Sequence, residues 1–332
     1  MRLHNLQILR GISALLVCCF HLRESLTFGH KELGEILFAR GSIGVPIFFV
    51  ISGFIMVFTT KKIKFGENTV KEILSFFKKR IIRIVPLYYL LTFAWIISGG
   101  SILYYTEGAG LKRLVYSLLF LPLEDQFPVL YLGWSLNYEI FFYLIFGLSF
   151  FFKSGRYTFI ISFFIGTYIF GLLFTVETPY LKMITSGLNL YFIIGILFGL
   201  YFSKLSVSKK IAFPLCIAGI VIFSLMLFNI IHIKSEMLLL TIVSLFVLAF
   251  LLLDYTFKIK GNKFLIFLGD ISYSLYLSHS FVEVFSKRFT PNDAMIVPFF
   301  IFKIILIIVL SAILYYFIEK KLTEYLKLKL KF

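Results

Sequence analysis

The sequence predicts an all-α, polytopic membrane protein with ten transmembrane helices, one short interfacial or re-entrant helix and both termini cytoplasmic. Three observations carry that prediction. Of 332 residues, 60% are hydrophobic and 15% charged, against roughly 45–50% apolar and about 25% charged in an ordinary globular domain. The mean hydropathy is +0.95. A soluble fold of this size has too much surface facing water to hide so many apolar side chains.

The second observation is ten apolar runs, near 6–28, 43–60, 83–99, 133–152, 157–175, 184–202, 211–231, 236–253, 264–286 and 296–318. A membrane-crossing helix needs about 20 mostly apolar residues. The stretch 112–121 is too short to cross and is expected to lie at the interface or re-enter. The third observation orients the spans. The N-terminus, the loops 61–83, 153–156, 203–210 and 254–263, and the tail after Glu319 hold 22 of the 33 Lys and Arg residues. The opposite loops hold nine, and Arg10 and Lys303 fall within spans. Cytoplasmic loops carry the excess of basic residues, so the expected topology is N-in/C-in.

The net charge of +16 is accounted for by the same bias and by anionic headgroups, so no nucleic acid is expected as a partner. Membrane lipids are. Cys18, Cys19 and Cys216 lie in apolar runs and offer neither a disulfide framework nor metal-ligand spacing. The first run has no small-residue cleavage site behind it and reads as a retained span. There is no internal repeat or Gly/Ser linker, and the longest outside loop is about 99–132, so residues 1–332 read as one domain.

Ionisable residues inside spans are expensive and mark function by default. Arg10 and His21 are 11 residues apart, about three turns plus 20°, and share one face of the first span. His21 stands roughly 22 Å along the helix from Leu6, in the outer half of the membrane. Ser135, Glu139 and Tyr143 share a face of the fourth span, with Asn137 nearby. Glu139 lies about 9 Å below the outer boundary. Ser272, Tyr276, His279 and Glu283 form a stripe on the ninth span, with His279 about 22 Å from its inner end. Interhelical hydrogen bonding accounts for any one such residue. Three spans delivering His21, Glu139 and His279 to one depth favour function. A zinc site is disfavoured, because no helix supplies two ligands at metal-binding spacing, and no metal is expected.

On the inner side Lys78-Lys79-Arg80-Ile-Ile-Arg83 leads into Pro86 and Tyr88-Tyr89. If helical, Arg80 and Arg83 face the same way. Arginine suits planar, bidentate grips on phosphate, so the pair is a candidate holder of a phosphorylated cytosolic metabolite. The plain alternative is a positive-inside anchor, which is the reading for Lys61, Lys62 and Lys64. The second span carries Gly41, Gly44, Ser52 and Gly53, small residues that let helices approach closely.

Taken together, Arg10…His21, Gly44-Val-Pro-Ile-Phe-Phe-Val-Ile-Ser-Gly53, Arg80-x-x-Arg83-x-x-Pro86, Trp134-Ser-Leu-x-x-Glu139-x-x-x-Tyr143, Ile271-Ser-Tyr-Ser-Leu-Tyr-Leu-Ser-His279 and Ile318-Glu319 resemble the acyltransferase-3 family of integral-membrane acyltransferases. The resemblance runs over most of the chain. It implies ten spans in a bacterial inner membrane, a cytoplasmic acyl-CoA donor (acetyl-CoA, as substrate) and a polysaccharide or lipid-linked glycan acceptor, as in O-antigen O-acetylation. Arg10 and His21 match the family's Arg-x10-His pair, and Arg80 and Arg83 its Arg-x-x-Arg pair. Two positions depart from the pattern. Pro46 replaces an acidic residue that many members carry after Gly-Val, and Lys320 stands where a Glu-Arg-Pro tail often occurs.

Acyl transfer from a thioester to a hydroxyl needs a base near the attacking oxygen and a positioned electrophile. His21 is the expected base, since imidazole suits that role near neutral pH. Glu139 or His279 is expected to fix its tautomer or orient the acceptor, and Ser135, Asn137 and Tyr276 to line the acceptor. Arg80 and Arg83 would hold the nucleotide or pyrophosphate end of coenzyme A. Arg10 would contact the pantetheine arm or stabilise the bundle. Direct transfer and an acyl-histidine relay both fit these residues. The rival class is a transporter of a glycan precursor or small metabolite, with the polar residues lining its path. It would show repeated halves or paired broken helices, and the sequence has neither. A non-catalytic membrane partner such as a sensor is the weaker rival, and the sequence specifies no protein partner.

Overall fold

A computed structural model of the chain describes residues 3–28, 31–61, 63, 69–201, 207–289 and 291–329. Arg2, Lys62, Lys64, Lys204 and Lys331, all counted above on the N-terminal side, lie outside the described residues. In chain order the helices are α1 (His4–Leu22), α2 (Leu33–Phe38), α3 (Gly44–Thr60), α4 (Thr69–Ser98), α5 (Gly108–Leu118), α6 (Trp134–Leu148), α7 (Arg156–Leu173) and α8 (Pro179–Ile184). They continue as α9 (Asn189–Tyr201), α10 (Lys209–Leu227), α11 (Glu236–Tyr255), α12 (Lys263–Asp270), α13 (Ser272–Ser286), α14 (Ile296–Leu314) and α15 (Lys321–Lys329). Among the described residues, the only sheet is a two-residue antiparallel pairing of β1 (Thr27–Phe28) with β2 (Lys31–Glu32).

Eight helical stretches among the described residues are long and apolar enough to cross a membrane. The chain is all-helical in character, with several helices suited to a bilayer. The difference from ten apolar runs has two local causes. A tight turn with Lys153 at φ 49° joins α6 and α7 into one stretch, Tyr131–Leu173. The run 264–286 is interrupted at Ile271, so α12 and α13 have 8 and 15 residues, each too short alone. One correction concerns the segment 61–83, expected as a loop. α4 already starts at Thr69 and runs for 30 residues, about 45 Å. The basic segment is therefore its first half, and Arg80 and Arg83 are helical. α5 takes the place of the expected short helix, shifted towards the N-terminus.

The chain packs as two compact units, Met1–Phe58 with Ile194–Ile313, and Thr59–Ile193 with Leu314–Phe332. In the first, α1 packs on α11, α12 and α13. Glycine sets how closely. A Cβ on Gly11 would stand 2.8 Å from the Gly269 nitrogen, and one on Gly269 only 1.9 Å from the Gln7 carbonyl oxygen. The backbones of α1 and α12 thus touch. Gly41 and Gly44 bring the start of α3 onto α1 in the same way, each Cβ position lying 2.3 Å from a carbonyl oxygen of α1.

The N-terminus of α1 has no capping side chain of its own. Asp254, at the end of α11, supplies one. Its carboxylate accepts from the Asn5 and Leu6 amides at 3.0 and 2.9 Å and from Asn5 Nδ2 at 3.0 Å. A helix start leaves amides unsatisfied and favours negative charge, so this buried carboxylate both pairs them and complements the helix dipole. In the second unit the core is aromatic. Phe142 stacks on Phe192 at 4.2 Å between centroids, and Phe76 stacks on Phe146 at 5.5 Å. These contacts bind α4, α6 and α9.

Two stability predictions follow from the first unit. Asp254→Ala orphans buried amides and should cost about 1–3 kcal/mol, read as a lower Tm in detergent. Gly269→Ala should lower Tm as well, because its methyl group meets backbone rather than a yielding side chain. An unchanged Tm for Gly269→Ala would refute the close crossing.

Candidate active site

α1 carries His21 in its last turn, and the close crossing with α12 and α13 brings that turn against the middle of α13. There the ring of His21 lies 5.2 Å from that of His279, tilted by 36°. His279 is fully buried, and neither of its ring nitrogens has a hydrogen-bond partner. Unsatisfied buried groups are costly and tend to persist where function retains them. The pair is therefore in van der Waals contact, without a bond from His279 that would fix the tautomer of His21. Tyr276, one turn earlier, packs edge-on against Phe48 at 6.1 Å and lies 6.2 Å from His279.

His21 is half-buried, and it lines a cavity of about 430 Å³. The cavity lies among the C-terminal ends of α1 and α13 and the start of α14. Its ionisable lining is Glu24, Glu283, Lys287 and Lys303. Glu283 pairs with Lys287 at 3.2 Å. The Nζ of Lys303 sits 4.8 Å from the centre of the Phe299 ring. In the sequence Glu283 belongs to the His279 stripe and Lys303 is a charge within a span, and neither carries an assigned role there. The available signal was the i+4 spacing from His279 and the rarity of an intramembrane lysine.

Arg10 is elsewhere. It stands about 16 Å along α1 from His21, with Nη1 donating to Gln7 Oε1 at 3.3 Å. Gln7 in turn donates to Asp270 Oδ1 at 2.9 Å. Arg10 belongs to a polar network joining α1 to α12 and does not line the His21 cavity.

The second unit holds the remaining expected residues. Glu139 accepts a hydrogen bond from the Tyr143 hydroxyl, the residue one turn on along α6. The Tyr143 ring lies under the Arg80 guanidinium, 5.8 Å from its carbon, and Phe76 lies 5.7 Å away. Arg80 Nη2 donates to Thr59 Oγ1 at 3.4 Å, while its Nε is buried without a partner. Glu139 is thus the carboxylate end of a chain that runs through Tyr143 to Arg80. Arg83, one turn further along α4, is half-buried. Ser135 spends its hydroxyl on the Leu132 carbonyl at 3.2 Å. Asn137 instead lines a separate cavity. Among the described residues no cluster of three His, Cys, Asp or Glu side chains is arranged to hold a metal ion.

Comparison with known proteins shows what the chain is similar to. A family model described as an acyltransferase domain matches residues 3–316. The exopolysaccharide production protein ExoZ of Rhizobium meliloti is 29% identical over 280 residues, covering 81% of this chain and 82% of that protein. The acyltransferase MdmB of Streptomyces mycarofaciens is 31% identical over 160 residues, 44% of this chain and 39% of that protein. No solved structure matches. A multi-pass set of apolar helices and a match over nearly the whole chain lead to one conclusion: the chain belongs to the acyltransferase-3 family and is an acyl-transferring membrane enzyme.

Proposed function

We propose that this enzyme moves an acyl group, acetyl as first choice, from cytoplasmic acyl-CoA to a hydroxyl of a surface glycan or its lipid-linked precursor. Its place would be a bacterial inner membrane, N-in/C-in with ten spans, in keeping with the basic residues on the N-terminal side. The observation that carries the reading is a histidine, His21, lining a cavity at the C-terminal end of α1, the end that this topology turns away from the cytosol. The naming of ExoZ for exopolysaccharide production supports a glycan as acceptor.

In this mechanism the acceptor hydroxyl enters the cavity, and His21 removes its proton as the oxygen attacks the thioester carbonyl. The carbon–sulfur bond then breaks, an ester forms, and coenzyme A leaves as the thiolate and takes up a proton. Lys303 and Lys287 place positive charge where the oxyanion of the tetrahedral intermediate develops. Glu283, beside Lys287, balances that charge and faces the same space. His279 packs beneath His21 and holds its ring in place. Arg83 and Arg80 grip the phosphates of the donor, with Arg80 positioned by the Tyr143–Glu139 chain. Arg10 holds α1 to α12.

Membranes containing the enzyme, incubated with labelled acetyl-CoA, should pass label into the polysaccharide fraction. His21→Ala should reduce this transfer by about 10²–10⁴-fold, with unchanged membrane insertion and Tm. Near-normal transfer by purified His21→Ala would overturn the base assignment. Arg83→Ala should raise the KM for acetyl-CoA by about tenfold through loss of a charge-assisted hydrogen bond. The acceptor KM should stay unchanged, and unaltered coenzyme A affinity would contradict the phosphate grip.

A further inference from the structure

We propose that a second cavity, built wholly within the second unit, is a saccharide subsite that takes one pyranose ring. It lies between the turn at 122–128, the first turns of α6, and α8, with a volume of about 260 Å³. That is just below the range of about 300–1,000 Å³ typical of small-ligand sites. Its lining includes Glu124, Asp125, Gln126, Trp134, Asn137 and Tyr138, with Lys182 across from them on α8.

The walls are fixed by hydrogen bonds. Arg113 on α5 donates to the Phe127 and Pro128 carbonyls at 2.9 and 3.1 Å. Ser117, fully buried, accepts from the Val129 amide at 2.8 Å. On the other side, Asn189 Nδ2 donates to the Met183 and Ile184 carbonyls at 2.9 and 3.0 Å and so ties down the end of α8. Asp125 holds a left-handed backbone, φ 51°. Asp tolerates that region better than most side chains, and strain of this kind collects at sites of recognition.

One buried side chain of the cavity's lining lacks a partner. Asn137 is 4% exposed, and its Oδ1 has no hydrogen bond within the protein. A buried acceptor of this kind calls for a donor such as a hydroxyl. Carboxylates at Glu124 and Asp125 and the amide of Gln126 add acceptors for neighbouring hydroxyls. Trp134 and Tyr138, four residues apart on α6, meet edge to face at 6.0 Å and 87°, and both line the cavity, giving it aromatic surface of the kind that suits the apolar C–H side of a sugar. Hydrogen-bonding side chains and aromatic rings in one lining match a pyranose. Two carboxylates repel a phosphate, the mixed lining suits no lipid chain, and no metal-holding cluster occurs among the described residues. As an acceptor subsite the cavity rests on the proposed glycan acylation; as a sugar site it does not.

Trp95 and Trp134 are the two tryptophans of the chain, so Trp95→Phe leaves Trp134 as sole reporter. The full-length protein in nanodiscs is titrated with the methyl glycosides of glucose, galactose, mannose and rhamnose. At least one should shift the emission saturably. Asn137→Leu, and Asp125→Asn and Gln126→Ala on the exposed turn, should raise its Kd by about tenfold. No saturable shift with any of the four sugars, or wild-type affinity in every folded variant, overturns the subsite. Glycan acylation measured in parallel separates the two readings. Sugar binding without acylation leaves the subsite standing and removes the proposed transfer. Acylation at an unchanged acceptor KM in Asp125→Asn and Gln126→Ala does the reverse.

Discussion

The backbone contact between α1 and α12 is the constraint on which the first unit depends. Gly11 and Gly269 permit it, and any side chain at either position would meet main-chain atoms. Once α1 lies that close, its first turn reaches the Asp254 carboxylate and its last turn reaches α13. The cap and the crossing anchor the first half of α1, and the close approach of Gly44 to Ser13 and of Gly41 to Leu16 holds its second half, so the direction in which His21 points is not left to a flexible element. His21 is thus held on a rigid helix whose orientation is settled by packing.

That rigidity gives the His21–His279 contact its meaning. Two imidazoles in contact, one of them fully buried and unsatisfied, are a poor choice for stability alone. Apolar residues of similar volume would pack without stranding two ring nitrogens. The neighbouring cavity brings carboxylate and ammonium groups to the same place. Imidazole, carboxylate and ammonium side chains are thus gathered around one end of one helix. The second unit contributes a different kind of order. There the Arg80–Tyr143–Glu139 chain links α4 to α6, and aromatic stacking joins α4 to α6 and α6 to Phe192 at the start of α9.

Much of this was legible in the residues. The apolar runs located the helices, and the 3.6-residue period placed Glu139 with Tyr143 and Tyr276 with His279. Depth counting from helix ends set His21, Glu139 and His279 at one level; the rings of His21 and His279 meet, while Glu139 belongs to the other unit. The start of α4 was not legible, because five basic residues between Lys71 and Arg83 mask a helix from any reading based on apolarity. The break at Ile271 was hidden for the opposite reason, since the apolar run continues across it. Long-range partners were out of reach altogether. Nothing near Asn5 in the chain announces that Asp254 will cap it, and nothing near Ser117 announces that it will hold the turn beside Asn137. Arg10 matched a family pair, yet spacing along α1 alone could not tell a chamber-lining arginine from one that joins two helices.

The central claim is that the imidazole of His21 faces a chamber open to the side of the membrane opposite the cytosol. Replacing Cys18, Cys19 and Cys216 by serine and making His21→Cys puts a single thiol at that position. Intact spheroplasts are then treated with a membrane-impermeant maleimide. The account predicts labelling from outside without permeabilisation. Labelling only after the cytosolic face is opened, or only after denaturation, would contradict it.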